Sequence, residues 1–266
     1  MKKISWLLCL SALLIFTGCF DTEEELTIND NAGGIYATSM DMGKIMGMLK
    51  AFGGEQKEMK ELSELKLDTL IYFKDLKDSL KNLNAAEKKI VEAGNLRVKM
   101  NAEKEQCSFT FSIPFSKTDD IEKIRSVLKK TKQDVLKNSM KDKFPKTDGE
   151  KKGLFGKEID EEGSGEMGTE IDEYYTTVYG KDKLTRKVKK EKVAKIEEDK
   201  SLVTLKEMSQ MGMSMNMKTV INLPKPAKKA EGKGVKLSND RKKITIEGTL
   251  DDFFEDASYF EYEIEY

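Results

Sequence analysis

The 266-residue chain has no histidine, four prolines, one tryptophan and three cysteines. Without histidine there is no Ser-His-Asp triad, no Cys-His dyad and no imidazole metal ligand, which removes the commonest hydrolase and zinc chemistries. Cys9, Cys19 and Cys107 show none of the close pairings of a metal-binding cysteine set. Long apolar runs are scarce as well. The one present, Ile4 to Phe16, is too short to span a bilayer comfortably, and with 36% of residues charged the rest excludes an integral membrane protein built of helices.

What is there begins with an address. Lys2 and Lys3 precede the apolar run, the pattern of a secretory signal, so residues 1–18 are expected to be a cleaved leader. The run ends in Phe16-Thr17-Gly18-Cys19, which resembles the lipobox of bacterial lipoproteins. That resemblance implies that Cys19 becomes the first mature residue and carries the acyl chains, palmitate among them. The expected partner is then a membrane, held through Cys19, with the protein in the cell envelope and at the outer membrane, facing either periplasm or surface. Two or three acyl chains hold a protein where one gives only marginal binding. The acidic stretch Asp21 and Glu23–Glu25 resembles the export signals of surface lipoproteins and reads equally as the polar start of a strand, so orientation stays open.

Cleavage also removes Trp6, Cys9 and two of the 47 basic residues, leaving 45 against 48 acids, a net charge of −3. With Cys19 acylated, Cys107 has no partner for a disulfide and is expected to be a buried structural thiol. Residues 19–25 read as anchor and short tether, at most about 20 Å long, and residues 26–266 as one domain with a flexible insertion at about 139–170, where Lys, Glu, Asp and Gly dominate.

Periodicity gives the expected elements. Leu26 and Ile28, then Ile35–Thr38, frame a hairpin turned by Asp30-Asn31-Ala32-Gly33-Gly34. Met42–Phe52 and Met59–Leu65 have helical spacing, Leu67–Phe73 reads as a buried strand, and Asp75 is placed to cap a helix carrying Leu76, Leu80, Leu83 and Ile90. Leu96–Met100 and Cys107–Phe115 alternate as a hairpin. Asp119 and Glu122 have capping-box spacing ahead of the helical stripe Ile121, Ile124, Leu128 and Val135. Tyr174–Tyr179 and Leu184–Val188 form another hairpin, followed by a helix near Val193–Met208. Strands follow at Met213–Leu223, Val235–Leu237, Ile244–Leu250 and Phe260–Tyr266. This order predicts an α+β fold: a mainly antiparallel sheet with several amphipathic helices packed on it. The lipobox followed at once by a hairpin, Ile221-Asn222-Leu223-Pro224, and the hairpin from Lys236-Leu237-Ser238-Asn239-Asp240 to Ile244-Thr245-Ile246 resemble small α+β lipoproteins of the mycobacterial LppM type and related envelope families. That resemblance implies a membrane-apposed domain suited to lipid or glycolipid; it assigns no functional residue.

Three constellations bear on function. Met208, Met211, Met213, Met215 and Met217 suggest a thioether Cu(I) site, but the last four alternate like a strand packing one face on a core, and neighbours about 7 Å apart converge poorly on one ion. Core packing is therefore expected, with the Cu(I)-binding envelope protein as alternative and no metal or cofactor otherwise. Lys187, Lys189, Lys190, Lys192, Lys228 and Lys229 lie in two basic segments; in an exported protein these suit anionic lipid, envelope polymer or an envelope protein rather than nucleic acid. The competing expectation is complementary charge across neighbouring strands. Ser126-Val127-Leu128-Lys129 has Ser-x-x-Lys spacing without its companion motifs, so no catalytic residue is assigned. The reading is a non-catalytic binding or scaffolding module, with a carboxylate-based hydrolase the remaining enzymatic alternative.

Overall fold

The computed structural model describes residues 20–44, 47, 66–140, 171–210 and 215–266. It combines helices with a large mixed sheet, an α+β architecture. Among the described residues eight strands form the large sheet: β1 (Phe20–Ile28), β2 (Gly34–Asp41), β3 (Lys66–Tyr72), β4 (Asn95–Asn101), β5 (Gln106–Phe115), β8 (Met215–Asn222), β10 (Val235–Leu237) and β11 (Lys243–Thr249), in the order β10-β11-β8-β1-β2-β5-β4-β3. All neighbours are antiparallel except β1 and β8. A smaller antiparallel sheet has the order β6-β7-β12-β9, from β6 (Tyr175–Tyr179), β7 (Lys183–Val188), β12 (Tyr262–Glu265) and β9 (Lys229–Glu231).

The hairpins with clear alternation form as read. β4 pairs β5 with Leu96, Val98 and Met100 against Phe111, Phe109 and Cys107, all buried. The β1–β2 turn places Ala32 at φ 62°, and a Cβ on Gly34 would meet the Thr27 carbonyl oxygen at 1.8 Å, so that position accepts only glycine. Phe260, Tyr262, Ile264 and Tyr266 point into the core, whereas Glu261, Glu263 and Glu265 face outward. The helix α2 (Ile121–Met140) buries Ile121, Ile124, Val127, Leu128 and Val135, the stripe expected from period 3.6.

Several boundaries differ. Residues 20–25, read as tether, belong to β1 in the interior of the large sheet. Asp21, Glu23 and Glu25 face outward, where β8 supplies Asn216 (2.6 Å), Lys218 (3.0 Å) and Asn222 (2.8 Å) as partners. Those partners are about 195 residues away in the chain, so nothing local announces them. Leu67–Phe73 is no buried strand: β3 is the sheet edge, with Leu70 48% and Tyr72 45% exposed. The helix expected from Asp75 breaks into 3-10 turns at Phe73–Asp75 and Lys77–Leu80. Helix α1 (Ala85–Val91) starts only at Asn84, whose reciprocal bonds with Glu87 (3.0 Å each) make the stronger cap. α2 is entered through the turn Thr118–Asp120, which has no side-chain cap, and Glu122 turns instead to Arg125.

The helix near Val193–Met208 is two pieces, α3 (Lys190–Val193) and α4 (Lys200–Gln210), because Asp199 caps the second through the amides of Ser201 and Leu202. β11 stops at Thr249, which caps α5 (Leu250–Glu255) in a box with Asp252. The expected insertion begins inside α2, which reaches Met140; residues 141–170 lie outside the described residues, as do most of the helices read into 42–65.

The inner face of the large sheet is covered in two ways. α2, with α1 packed against it, lies over the β5-β4-β3 half beside Phe111, Phe73 and Val91; the smaller sheet and α5 cover the β1-β8-β11 half through Tyr262, Ile264 and Phe253. Phe111→Ala is expected to destabilise the fold by about 3–5 kcal/mol in urea denaturation, since it removes a fully buried ring. Met215→Leu at the buried start of β8 is expected to cost less than about 1.5 kcal/mol, because volume is nearly conserved.

Candidate functional site

Where α2 gives way to the smaller sheet, the inner face of the large sheet stops being apolar. Along β1 the residues alternating with the outward acids are Thr22, Glu24, Leu26 and Ile28, so Glu24 falls on the core face. Arg125 lies on the buried stripe of α2, four residues after Ile121. Arg186 shares the inner face of β7 with Leu184 and Val188, and is only 6% exposed. Asp172 comes from the 3-10 turn Ile171–Tyr174 that leads into β6.

These four charges form one network. Asp172 forms ion pairs with Arg125 (Nη2, 2.5 Å) through one oxygen and with Arg186 (Nη2, 2.8 Å) through the other. Arg125 also reaches Glu24 (Nε to Oε1, 3.7 Å) and Glu122 (Nη1 to Oε1, 3.1 Å). Tyr179 Oη donates to Glu24 Oε1 at 3.3 Å, joining the two sheets. The Arg186 guanidinium lies 4.0 Å from the centre of the Tyr175 ring, whose hydroxyl donates to the Ala257 carbonyl at 2.6 Å.

Burial opposes the charge on Asp172, but the guanidinium groups of Arg125 and Arg186 outweigh it and hold its pKa at about 2. Burial pushes the hydroxyls of Tyr36, Tyr179 and Tyr262 well up, with Glu24 adding to the rise, so they remain neutral donors.

A cleft of about 320 Å³ opens on this network, between β1, β2 and β8 on one side and α2, β6 and β7 on the other. Its walls carry Thr22, Thr38, Thr177, Thr219 and Ser126, the thioethers of Met40 and Met217, and the cations Lys129, Lys132 and Lys189. Lys129 and Lys192 both pair with Glu173.

Of the residues singled out from sequence, Cys19, Met211 and Met213 lie outside the described residues, as does the side chain of Met208. Met215 and Met217 sit on the inner face of β8, and Met215 is buried there, the arrangement expected of a core stripe. The six lysines do not gather into one basic face. Lys187 meets Glu261 at 3.9 Å, and Lys229 meets Glu231 and Glu263 at 3.0 and 3.1 Å, both on the outer side of the smaller sheet. Lys192 pairs with Glu173 at 3.0 Å, and Lys189 donates to the Glu173 carbonyl at 3.1 Å beside the cleft. Lys228 donates to the Tyr266 carbonyl oxygen at 3.1 Å, and Lys190 is exposed on α3. Complementary charge across neighbouring strands accounts for Lys229 and, at the margin of β12, for Lys187; the other four have helix, turn or main-chain partners or face solvent.

Lys228 and Lys229 also adjoin Arg241 and the Ser238–Lys243 turn, at the end of the large sheet holding Ile28. Strand length puts that end about 25 Å from Phe20. Arg125, Asp172 and Arg186 were not singled out from sequence, and Glu24 was read only as part of the acidic stretch Glu23–Glu25. The available signal was parity: Glu24 alternates with Leu26, and Arg186 with Leu184, so each is a charge on an apolar face.

No protein-family model, characterised protein or solved structure matches the chain.

Asp172→Asn should leave two buried guanidinium groups without their anion and cost about 3–5 kcal/mol in denaturant unfolding. In the wild type, a carboxyl held at about 2 against an ordinary value of 3.8 contributes about 2 kcal/mol, fully present above pH 4 and lost as pH falls through 2. The Asn variant should lack that part of the acid-induced loss, which unfolding curves from pH 5 to pH 2 will show.

Proposed function

We propose that the chain is a lipid-anchored protein of the bacterial cell envelope that works as a non-catalytic binding module, with the cleft as its binding element. The observation that carries the binding part is the cleft itself: about 320 Å³ of space, with polar and apolar walls, in contact with a buried ionic network between two sheets. Formed, concave sites of this size with a few convergent polar groups are where small ligands bind.

The non-catalytic part rests on the state of its side chains. Two guanidinium groups hold Asp172, and Lys129 and Lys192 hold Glu173, below the ordinary carboxylate range, so neither is poised to exchange a proton near neutral pH, while Glu24 is occupied by Arg125 and Tyr179. Cys107 is buried, and burial raises its thiol to about 11, far from a nucleophile's range.

The anchoring part rests on Lys2-Lys3, the run Ile4–Phe16 and Cys19. Among the described residues no helix is long and apolar enough to cross a membrane, so on this reading attachment is through the acyl chains. β1 starts at Phe20, so an acylated Cys19 would hold the sheet against the bilayer with almost no slack. The reading of several amphipathic helices packed on the sheet extends to the whole domain what α2 displays.

Cys19→Ala should abolish incorporation of labelled palmitate and leave unprocessed precursor in the membrane fraction. Equal labelling of the variant would overturn the anchor. Turnover of ester, amide or glycoside substrates that survives repurification would overturn the non-catalytic assignment.

A further inference from the structure

The cleft walls carry more positive than negative charge. Leaving out Glu23 and Lys218, which pair on the outer face, five cationic and four anionic residues line it, and each of the four carboxylates already meets a cation: Glu24 and Glu122 have Arg125, Asp172 has both guanidinium groups, and Glu173 has Lys129. The Lys189 ammonium is different. Its hydrogen bond goes to a main-chain carbonyl, that of Glu173, and among the described residues no carboxylate pairs with it.

Hydroxyls able to donate stand beside it in the cleft walls. Thr38 and Thr219 flank Glu24 on β2 and β8, and Thr177 stands opposite Arg186 on β6, all on the inner faces of their sheets. Among the described residues their hydroxyls, and that of Ser126, have no hydrogen-bond partner. Arg186 adds a buried Nε–H in the same wall with no acceptor. An apolar ligand would strand these hydroxyls at roughly 1–3 kcal/mol each, and a cation would find every carboxylate occupied.

We infer that the cleft binds a small oxyanion, a phosphate or a carboxylate, held by Lys189 and by the hydroxyls of Thr38, Thr177 and Thr219, with any apolar portion lying on Met40 and Met217. The volume equals that of about ten water molecules at roughly 30 Å³ each, enough for a phosphate with a short organic substituent. Position narrows the source. Thr22, Met40 and Met217 form a cross-strand row near the start of β1, so the cleft lies towards the end of the large sheet where Phe20 enters. The inference rests on the cleft being the binding element. With Cys19 anchored, Thr22 would be about 10 Å of chain from the bilayer, within reach of a lipid phosphate.

The test is calorimetric titration of the full-length chain in nonionic detergent with inorganic phosphate, acetate, and short-chain phosphatidylglycerol and phosphatidylcholine. Saturable binding of phosphate or phosphatidylglycerol is expected, weakened about ten-fold or more by Lys189→Gln and by Thr38→Val with Thr219→Val. Lys228→Gln with Lys229→Gln, at the far end of the sheet, should change it less than two-fold. Unfolding curves of each variant separate loss of binding from loss of fold, and Lys189→Arg, which keeps the charge, should restore binding.

Binding of inorganic phosphate identifies a free oxyanion as sufficient, whereas phosphatidylglycerol binding without it identifies a lipid headgroup; either supports the inference. No binding of any probe at millimolar concentration overturns it, as does equal affinity for phosphatidylcholine, or binding that depends on Lys228 and Lys229 but not on Lys189. A palmitate-labelled chain with an empty cleft would refute this inference and leave the anchor standing; an unlabelled chain that binds phosphate would do the reverse.

Discussion

Asp172 is held between two arginines inside the protein, and four separate parts of the chain must assemble correctly for that to be tolerable. Removing a carboxylate and two guanidinium groups from water costs several kcal/mol per ion, and only close, correctly aimed partners offset it. Arg125 comes from α2, Arg186 from β7, Asp172 from the turn before β6, and Glu24 from β1. Such a network adds little net stability when complete and a large penalty when any member is missing, so it acts on specificity. A packing of α2 rotated or shifted along the sheet would leave a buried charge alone, whereas its apolar stripe would tolerate such shifts far better.

The cleft follows from the same constraint. On the β5-β4-β3 side, phenylalanine, leucine and valine close the space between helix and sheet. On the β1-β2-β8 side the inner face carries Thr22, Glu24, Thr38 and Thr219, and the opposing elements carry Arg125, Arg186 and Thr177. Polar groups that still need partners do not collapse onto one another as methyl groups do, so a polar gap persists between two tightly packed apolar regions. The molecule is thereby given distinct ends. One holds the start of β1 and the cleft nearby; the other holds the β1–β2 turn, the Ser238–Lys243 turn and the lysines beside Arg241.

Elements whose stabilising partners are close in sequence were legible. The β4–β5 hairpin, the β6–β7 hairpin around Gly180, the alternation of β12 and the stripe of α2 each follow from a local period and a local turn. Those that failed have distant partners. Residues 20–25 look like a solvated tether because Asp21, Glu23 and Glu25 are acidic, and they are strand because β8 covers them with asparagine and lysine. The run 67–73 looks buried because it is apolar, yet among the described residues β3 is the last strand on its side. The basic segments suggested an anionic partner, and the glutamates of β12 and β9 take up Lys187 and Lys229. In the candidate site the misplaced parity of Glu24 and Arg186 was visible; their association with Asp172, beside a stretch read as an insertion, was not.

The sequence by itself determined the α+β class, the inward and outward faces of most strands, the buried thiol at Cys107, and the exclusion of histidine-based chemistry. These depend on composition and on periods of two or 3.6 residues, which are properties of short stretches of chain. Tertiary structure alone decided the parallel pairing of β1 with β8, the edge position of β3, which acid neutralises which lysine, and the meeting of Arg125, Asp172, Arg186 and Glu24 around a cleft. A charge attracts any opposite charge with equal indifference to sequence distance, so only the packed fold selects its partner.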